Sequence, residues 1–177
     1  MELLEMMKNR RSVRAYTGEP VPEEKLEKIL QAGLLSASGR AIRPWEFILV
    51  RDKETLKQMA KARAAGAKML EEADSAVVVL GDETKTDVWT EDCSIAMANM
   101  HLMADSLGVG SCWIQGRLRE ASDGRTTEAY VRELLGYPMQ LRLEAILSLG
   151  MPKDHPSPHT EENLLTEKIH KECYGAK

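Results

Sequence analysis

Apolar residues recur along this chain at two spacings, one helical and one alternating, and they take turns. Leu3, Leu4 and Met7 line one face of a first helix. Pro20-Val21-Pro22-Glu23-Glu24 opens a second, because proline and acids in a first turn suit the positive end of a helix. Leu26, Ile29, Leu30, Gly33 and Leu34 continue it at helical spacing. Phe47-Ile48-Leu49-Val50 predicts a short strand, and Asp52 predicts the cap of a third helix carrying Leu56, Met59 and Ala60. Ala76 to Leu80 reads as a buried strand that stops at Gly81. From Asp92 to Leu107 apolar and small residues leave little polar face, which predicts a long central helix ended by Gly108-Val109-Gly110. Cys112-Trp113-Ile114 is a further short strand. Thr126 or Thr127 caps a helix that runs to Leu135, with Gly136 as its stop and Pro138 beyond. Leu141, Leu143, Ala145, Leu147 and Leu149 alternate, predicting a strand over 141–149, and Leu164 to Cys173 reads as a last helix.

Helices thus outnumber strands, the strands are separated by helices, and no hairpin turn stands out. The pattern predicts α+β or α/β, a small sheet inside a helical shell. A length of 177 residues suits one domain, so 1–177 is read as a single unit with 153–177 as a C-terminal arm and helix. Pro156 and Pro158 lie in the one linker-like stretch.

Composition narrows the function classes. A 43% hydrophobic and 29% charged chain is that of a soluble globular protein, and a net charge of −4 gives no overall nucleic-acid footprint. Cys93, Cys112 and Cys173 are widely spaced with no CxxC, so reduced thiols in a cytoplasm are expected rather than disulfides or structural zinc. The amino terminus reads as too charged and too short for a signal peptide, and no apolar run approaches a membrane span. His155 and His159 are four apart, but Pro156 and Pro158 keep them off a common helix face, so no metal pair is expected. His101 in an apolar helix reads as a core histidine. Cys93 at a helix start lacks a base in register and reads as inert. No Gly-x-Ser-x-Gly, Walker or GxGxxG motif occurs.

Three arginines within five residues break this bland picture: Arg10-Arg11-Ser12-Val13-Arg14. Guanidinium forks match phosphate oxygens, and a serine hydroxyl adds a neutral donor. The small residues of Ser36-Ala37-Ser38-Gly39-Arg40-Ala41-Ile42-Arg43-Pro44-Trp45 would let a flat ligand or another backbone approach. A plain loop capped by a buried Trp45 is the competing reading. Leu107-Gly108-Val109-Gly110 then leads to Trp113, Ile114, Gln115 and Gly116, and Gly150-Met151-Pro152 precedes His159.

Taken in this order, RRSVRAYT, RPWEFILV, the Leu-Gly-x-Gly stretch and Gly-x-Pro resemble the nitroreductase family of FMN-dependent oxidoreductases, over essentially the whole chain from Asn9. The resemblance implies an α+β fold with a small, mostly antiparallel central sheet surrounded by helices, in an intertwined homodimer with FMN at the subunit interface. It implies that Arg10, Arg11 and Ser12 hold the flavin phosphate, with His159 as a weaker added group, and that Arg14 sits at the pyrimidine edge. Ala37, Ser38, Gly39, Ala41 and Arg43 would lie against the flavin of the partner subunit. Here Ala37, Ala41 and Arg43 stand where the family pattern has proline, asparagine and glutamine. Trp113 and Ile114 would pack on the ring, and backbone amides near Gln115 and Gly116 would face the nitrogen that accepts hydride. The implied reaction carries hydride from NADH or NADPH through FMN to an electron-poor acceptor such as a nitroaromatic or a quinone. The chemistry belongs to the flavin, so no catalytic side chain is implied. A flavin-binding or structural dimer without turnover, or another chemistry on the same fold, is the alternative.

Overall fold

Residues 2–176 are described in a computed structural model, and its architecture is organised around one strand. That strand is β4, Leu141–Gly150, which is hydrogen-bonded on both edges. With β1 (Trp45–Val50), β2 (Ser75–Asp82) and β3 (Gly110–Gln115) it makes a 4-stranded antiparallel sheet in the order β1-β2-β4-β3. The chain is therefore α+β, and β3 is an edge strand.

Two apolar layers cover the sheet. On one face lie α2 (Glu23–Leu34) and α4 (Trp89–Ser106). Leu26, Ile29, Ala96, Met97 and Met100 there pack on Val77, Val79, Ala145 and Leu147. Gly33 lets the two helices meet, since a Cβ on it would stand 2.9 Å from the Met100 sulfur. On the other face, α3 (Lys53–Met59) and α5 (Thr127–Leu135) bring Leu56, Met59 and Val131 onto Val78, Leu80, Ile114 and Ile146. The caps form as their sequences dictate. Asp52 accepts from the Thr55 amide at 2.7 Å, Thr126 from that of Ala129 at 3.1 Å, and Gly136 ends α5 with φ 72°.

The strand expected over 141–149 forms as β4, and it is buried on both faces from Leu143 onward. The register against β2 slips between Val79 and Leu80, which pair with Ala145 and Leu143, so Glu144 is the extra residue of a bulge. The bulge sends Leu143 to the face opposite Ala145. One expectation needs correction: the last helix, read over Leu164 to Cys173, is absent. Beyond Gly150 the chain runs as an extended arm with two 3₁₀ turns, Glu161–Asn163 and Thr166–Lys168. Leu164, Leu165 and Ile169 are 47%, 55% and 63% exposed, so the apolar stripe that suggested a helix has nothing to pack against. Among the described residues no helix is long and apolar enough to cross a membrane.

Candidate functional site

The arginine cluster is laid down by the segment that follows α1 (Leu3–Asn9). Val13 donates its amide to the Ser111 carbonyl at 2.9 Å, Thr17 to that of Met151 at 2.9 Å, and Lys153 to that of Ala15 at 3.1 Å. Residues 13–17 are thus zipped between the start of β3 and the end of β4. Val13 and Tyr16 are buried at 2% and 1% exposure, and the Tyr16 hydroxyl bonds Ser148 Oγ at 2.7 Å. Anchoring these two leaves Arg10, Ser12 and Arg14 on the outer side.

Arg10 is fixed from behind. Its Nη1 donates to His101 Nε2 at 2.9 Å, so His101 carries its proton on Nδ1 and donates to Ser111 Oγ at 2.6 Å. Burial, then the Arg10 charge, push the His101 pKa down to about 4, which keeps the ring neutral. Asp105 fastens the turn before the cluster. It accepts from Asn9 Nδ2 at 2.7 Å, from the Arg11 amide at 3.3 Å and from His155 Nε2 at 2.7 Å. Arg14 Nη1 donates to the Ser12 carbonyl at 3.4 Å. Burial raises the Cys112 thiol pKa, while Arg14 and Ser12 pull it the other way, which places both beside β3. Among the described residues neither Arg10 nor Arg14 forms an ion pair with a carboxylate. Arg11 turns elsewhere, its guanidinium donating to the Ser157 carbonyl of the arm. His159 docks by its own amide on the Lys8 carbonyl at 2.9 Å, and its side chain is exposed.

The free edge of β3 runs on from the cluster. The carbonyl of Ser111 takes Val13, and that of Gln115 takes Arg63 Nη1 at 2.7 Å. On an antiparallel edge every second residue turns both backbone groups outward, so Trp113 does so as well. Trp113 is half-buried, with its indole N–H on Gln115 Oε1 at 2.9 Å. Two expected contacts do not survive. Ile114 faces the core at 1% exposure, because it sits on the opposite side of the strand from Trp113. The Gly116 amide points inward and donates to the Glu144 carbonyl at 3.1 Å, and a Cβ at Gly116 would stand 2.6 Å from Leu143 Cδ2. Gly116 is therefore a packing glycine against the bulge.

The loop at 36–45 lies along the other flank of α4. Asn99 Nδ2 donates to Ser36 Oγ at 2.8 Å, the Gly39 amide to Asp92 Oδ1 at 2.8 Å, and the Arg43 amide to Ser38 Oγ at 2.9 Å. Ala37, Ala41 and Arg43 are exposed. Arg40, Ala41 and Arg43 hold left-handed φ values of 52°, 55° and 52°, an uncommon density for non-glycine residues. Among the described residues this loop makes no hydrogen bond to Arg10–Arg14. Trp45 is 6% exposed in the core, as the plain-loop reading expected of it. Cys93 is fully buried and its pKa is pushed up to about 12, chiefly by burial. His101 and Asp105 are the residues that the pattern alone does not reveal, since their partners are about 90 positions away in the chain.

Comparison with known proteins places this arrangement in a family. The nitroreductase family model matches residues 7–151. The chain belongs to the nitroreductase family. A protein of Archaeoglobus fulgidus, provisionally assigned as an NADH dehydrogenase/NAD(P)H nitroreductase, is 38% identical over 176 residues, spanning 97% of this chain and 98% of the relative. An FMN-dependent nitroreductase from Clostridium difficile has the same fold with a TM-score of 0.94 at 40% identity, covering 97% of this chain and 99% of that one. A provisionally assigned nitroreductase from Desulfovibrio desulfuricans, solved in complex with FMN, superposes with a TM-score of 0.79 at 25% identity over 98% of each chain.

Proposed function

We propose that this chain is a cytoplasmic FMN-dependent oxidoreductase that uses NADH or NADPH to reduce electron-poor acceptors such as nitroaromatics and quinones. One observation carries the reading. Arg10, Ser12 and Arg14 stand in a row beside the free edge of β3, with both guanidiniums lacking a carboxylate and Trp113 further along the same edge. In a protein with 28 acidic and 24 basic residues, two neighbouring cations left without acids repel each other, and a shared anion relieves that repulsion. A phosphate monoester fits that donor set, with two guanidinium forks and a hydroxyl. The FMN bound in one relative and the FMN dependence of another support the choice of ligand.

Bound FMN supplies the redox chemistry, accepting hydride from the nicotinamide and passing it to the acceptor. The protein holds and places it. Arg10, locked by neutral His101, and Ser12 hold the phosphate. Arg14 faces the ring's pyrimidine edge, and Trp113 walls one side. Arg11 ties the C-terminal arm to the cluster. The exposed apolar side chains of α1 (Leu3, Leu4 and Met7) and of the arm supply the surface for a homodimer. The loop at 36–43 of one subunit then lies on the flavin of the other, and 1–177 acts as one domain in that dimer. The three free cysteines support a reducing compartment.

The test is the colour and its loss. Purified protein, reconstituted with FMN if required, should be yellow at one FMN per chain by acid release. It should bleach anaerobically on adding NADH or NADPH and recover its colour with a nitroaromatic or a quinone. Absence of flavin would overturn the reading. Bound flavin that neither nicotinamide bleaches would replace it with a passive binder, a role that the missing side chain at Ala41 favours.

A further inference from the structure

Beyond the flavin row lies a second group of unpaired cations. Arg63, Arg117 and Arg119 line a cleft of about 480 Å³ together with Trp113, Gln115 and Leu118. Five other arginines of this acidic protein find acids: Arg40 pairs with Asp87, Arg51 with Glu23, Arg125 with Asp123, Arg132 with Glu128 and Arg142 with Glu83. Among the described residues, none of the three cleft arginines has a carboxylate within ion-pair distance. Arg63 gives one bond to the Gln115 carbonyl, and Arg119 Nη1 gives one to the Leu118 carbonyl at 3.0 Å. Arg117 lies over the Trp89 ring at 5.9 Å. Each guanidinium has five N–H donors, so most remain for a ligand.

The cations are held close by their backbones. Ala64 donates its amide to the Glu120 carbonyl at 2.9 Å, Thr127 Oγ1 to that of Ala62 at 2.7 Å, and Ser122 its amide to that of Lys61 at 3.0 Å. Burial and the neighbouring Arg119 charge lower the Arg63 pKa, as like charges facing one cleft require. Leu118, between two of the arginines, has φ 56° and is 78% exposed. Strain kept in this way is found at ligand sites. Arg117 lowers the Glu144 pKa, against the larger and opposite effect of burial.

We propose that Arg63, Arg117 and Arg119 form an oxyanion-recognition site for a reactant that works at the neighbouring flavin. The site takes a phosphate or a carboxylate, carried by the nicotinamide dinucleotide or by an acidic acceptor. What the ligand does there rests on the flavin reading; that an anion binds does not.

Calorimetry with inorganic pyrophosphate at low salt tests binding. FMN-loaded protein is used, so that the Arg10–Arg14 row is already filled. Saturable binding of one pyrophosphate per chain is expected, weakened at least about 10-fold by the double variant Arg63→Gln/Arg119→Gln. FMN absorbance per chain should not change. Should the protein hold no FMN, the same titration in an Arg10→Ala/Arg14→Ala background reads the cleft alone, so failure of the flavin reading and failure of this site remain separate. No saturable binding, or equal binding by the double variant, overturns the site. Steady-state KM values then identify the source. A rise for NADPH and NADH in the double variant assigns the anion to the donor. A rise for para-nitrobenzoate without one for nitrobenzene assigns it to the acceptor. Unchanged KM for every charged reactant would leave an adventitious ion only and overturn the proposal.

Discussion

Arg10 donates to His101 across 2.9 Å, and that bond makes a buried, neutral imidazole the support of a cation. His101 can accept only while unprotonated, so the bond ties the arginine row to pH. The folded pKa lies near 4 against an ordinary 6.5, with burial the larger cause and Arg10 the next. The sign follows from proton binding. Below 6.5 the unfolded chain takes up a proton that the folded one refuses, so stability is complete above 6.5 and falls as pH drops towards 4. The loss should approach about 3 kcal/mol. Urea unfolding between neutrality and pH 4 measures it, and His101→Gln should flatten that part of the curve. An equal slope in the variant would move the effect to other groups.

Arg10 and Arg14 should separate in function. Arg14→Ala should weaken FMN and lower its reduction potential, since it removes a cation beside a ring that gains negative charge on reduction. The loss is on the order of 1–3 kcal/mol for a charged hydrogen-bonding partner. Arg10→Ala should weaken FMN by a similar amount and leave the potential nearly unchanged, because the phosphate is remote from the redox atoms. Fluorescence titration and spectroelectrochemistry distinguish them; equal shifts of potential would place both residues at one end of the flavin.

Ala41 holds φ 55° in a residue type that avoids that region. Ala41→Gly should therefore stabilise the protein by about 1 kcal/mol, which for this size raises Tm by about 2–4 °C. Ala41→Asn should gain part of this, since asparagine tolerates the left-handed region, and it restores the side chain of the family pattern. Differential scanning calorimetry decides. A lower Tm for both variants would show that the loop relaxes out of the left-handed conformation in solution.

The sequence made the core elements legible where a local rule sufficed. Asp52, Thr126 and Gly136 delimit their helices as written, and the buried run at 76–80 is β2. The arginine row was legible because three guanidiniums within five residues stand out in an acidic chain. What failed needed tertiary knowledge. The alternation over 141–149 marks β4 as a strand, but the bulge at Glu144, which inverts its faces, and its cover on both sides are not written in that alternation. Leu164 to Cys173 has helical spacing but no surface of this chain to cover. Ile114 looked like a ring contact and the Gly116 amide like a flavin-facing donor by their place in the motif, yet Ile114 faces the core and the Gly116 amide donates to the Glu144 carbonyl. The three cleft arginines come from two loops more than 50 positions apart, a juxtaposition that no local pattern carries.

Asp92 offers the last test, of the link between the 36–43 loop and assembly. Asp92 is 2% exposed; its Oδ1 holds the Gly39 amide at 2.8 Å, while Oδ2 has no hydrogen-bond partner among the described residues. A Cβ on Gly39 would lie 3.1 Å from Val88 Cγ2, so the loop is seated against its own α4. If that seated loop covers the partner's flavin, loosening it weakens flavin binding and dimerisation together, because the two are thermodynamically linked. Asp92→Asn keeps the acceptor and should be mild; Asp92→Ala frees the Gly39 amide and should cost about 1–3 kcal/mol in total. Sedimentation across a wide dilution range, with and without FMN, measures the partition. The wild type should dissociate at lower concentration when FMN is bound, and Asp92→Ala should shift both curves upward and narrow the gap between them. A flavin-loaded monomer persisting at every concentration would refute the shared site, and loss of flavin with an unchanged dimer would confine the loop to its own subunit.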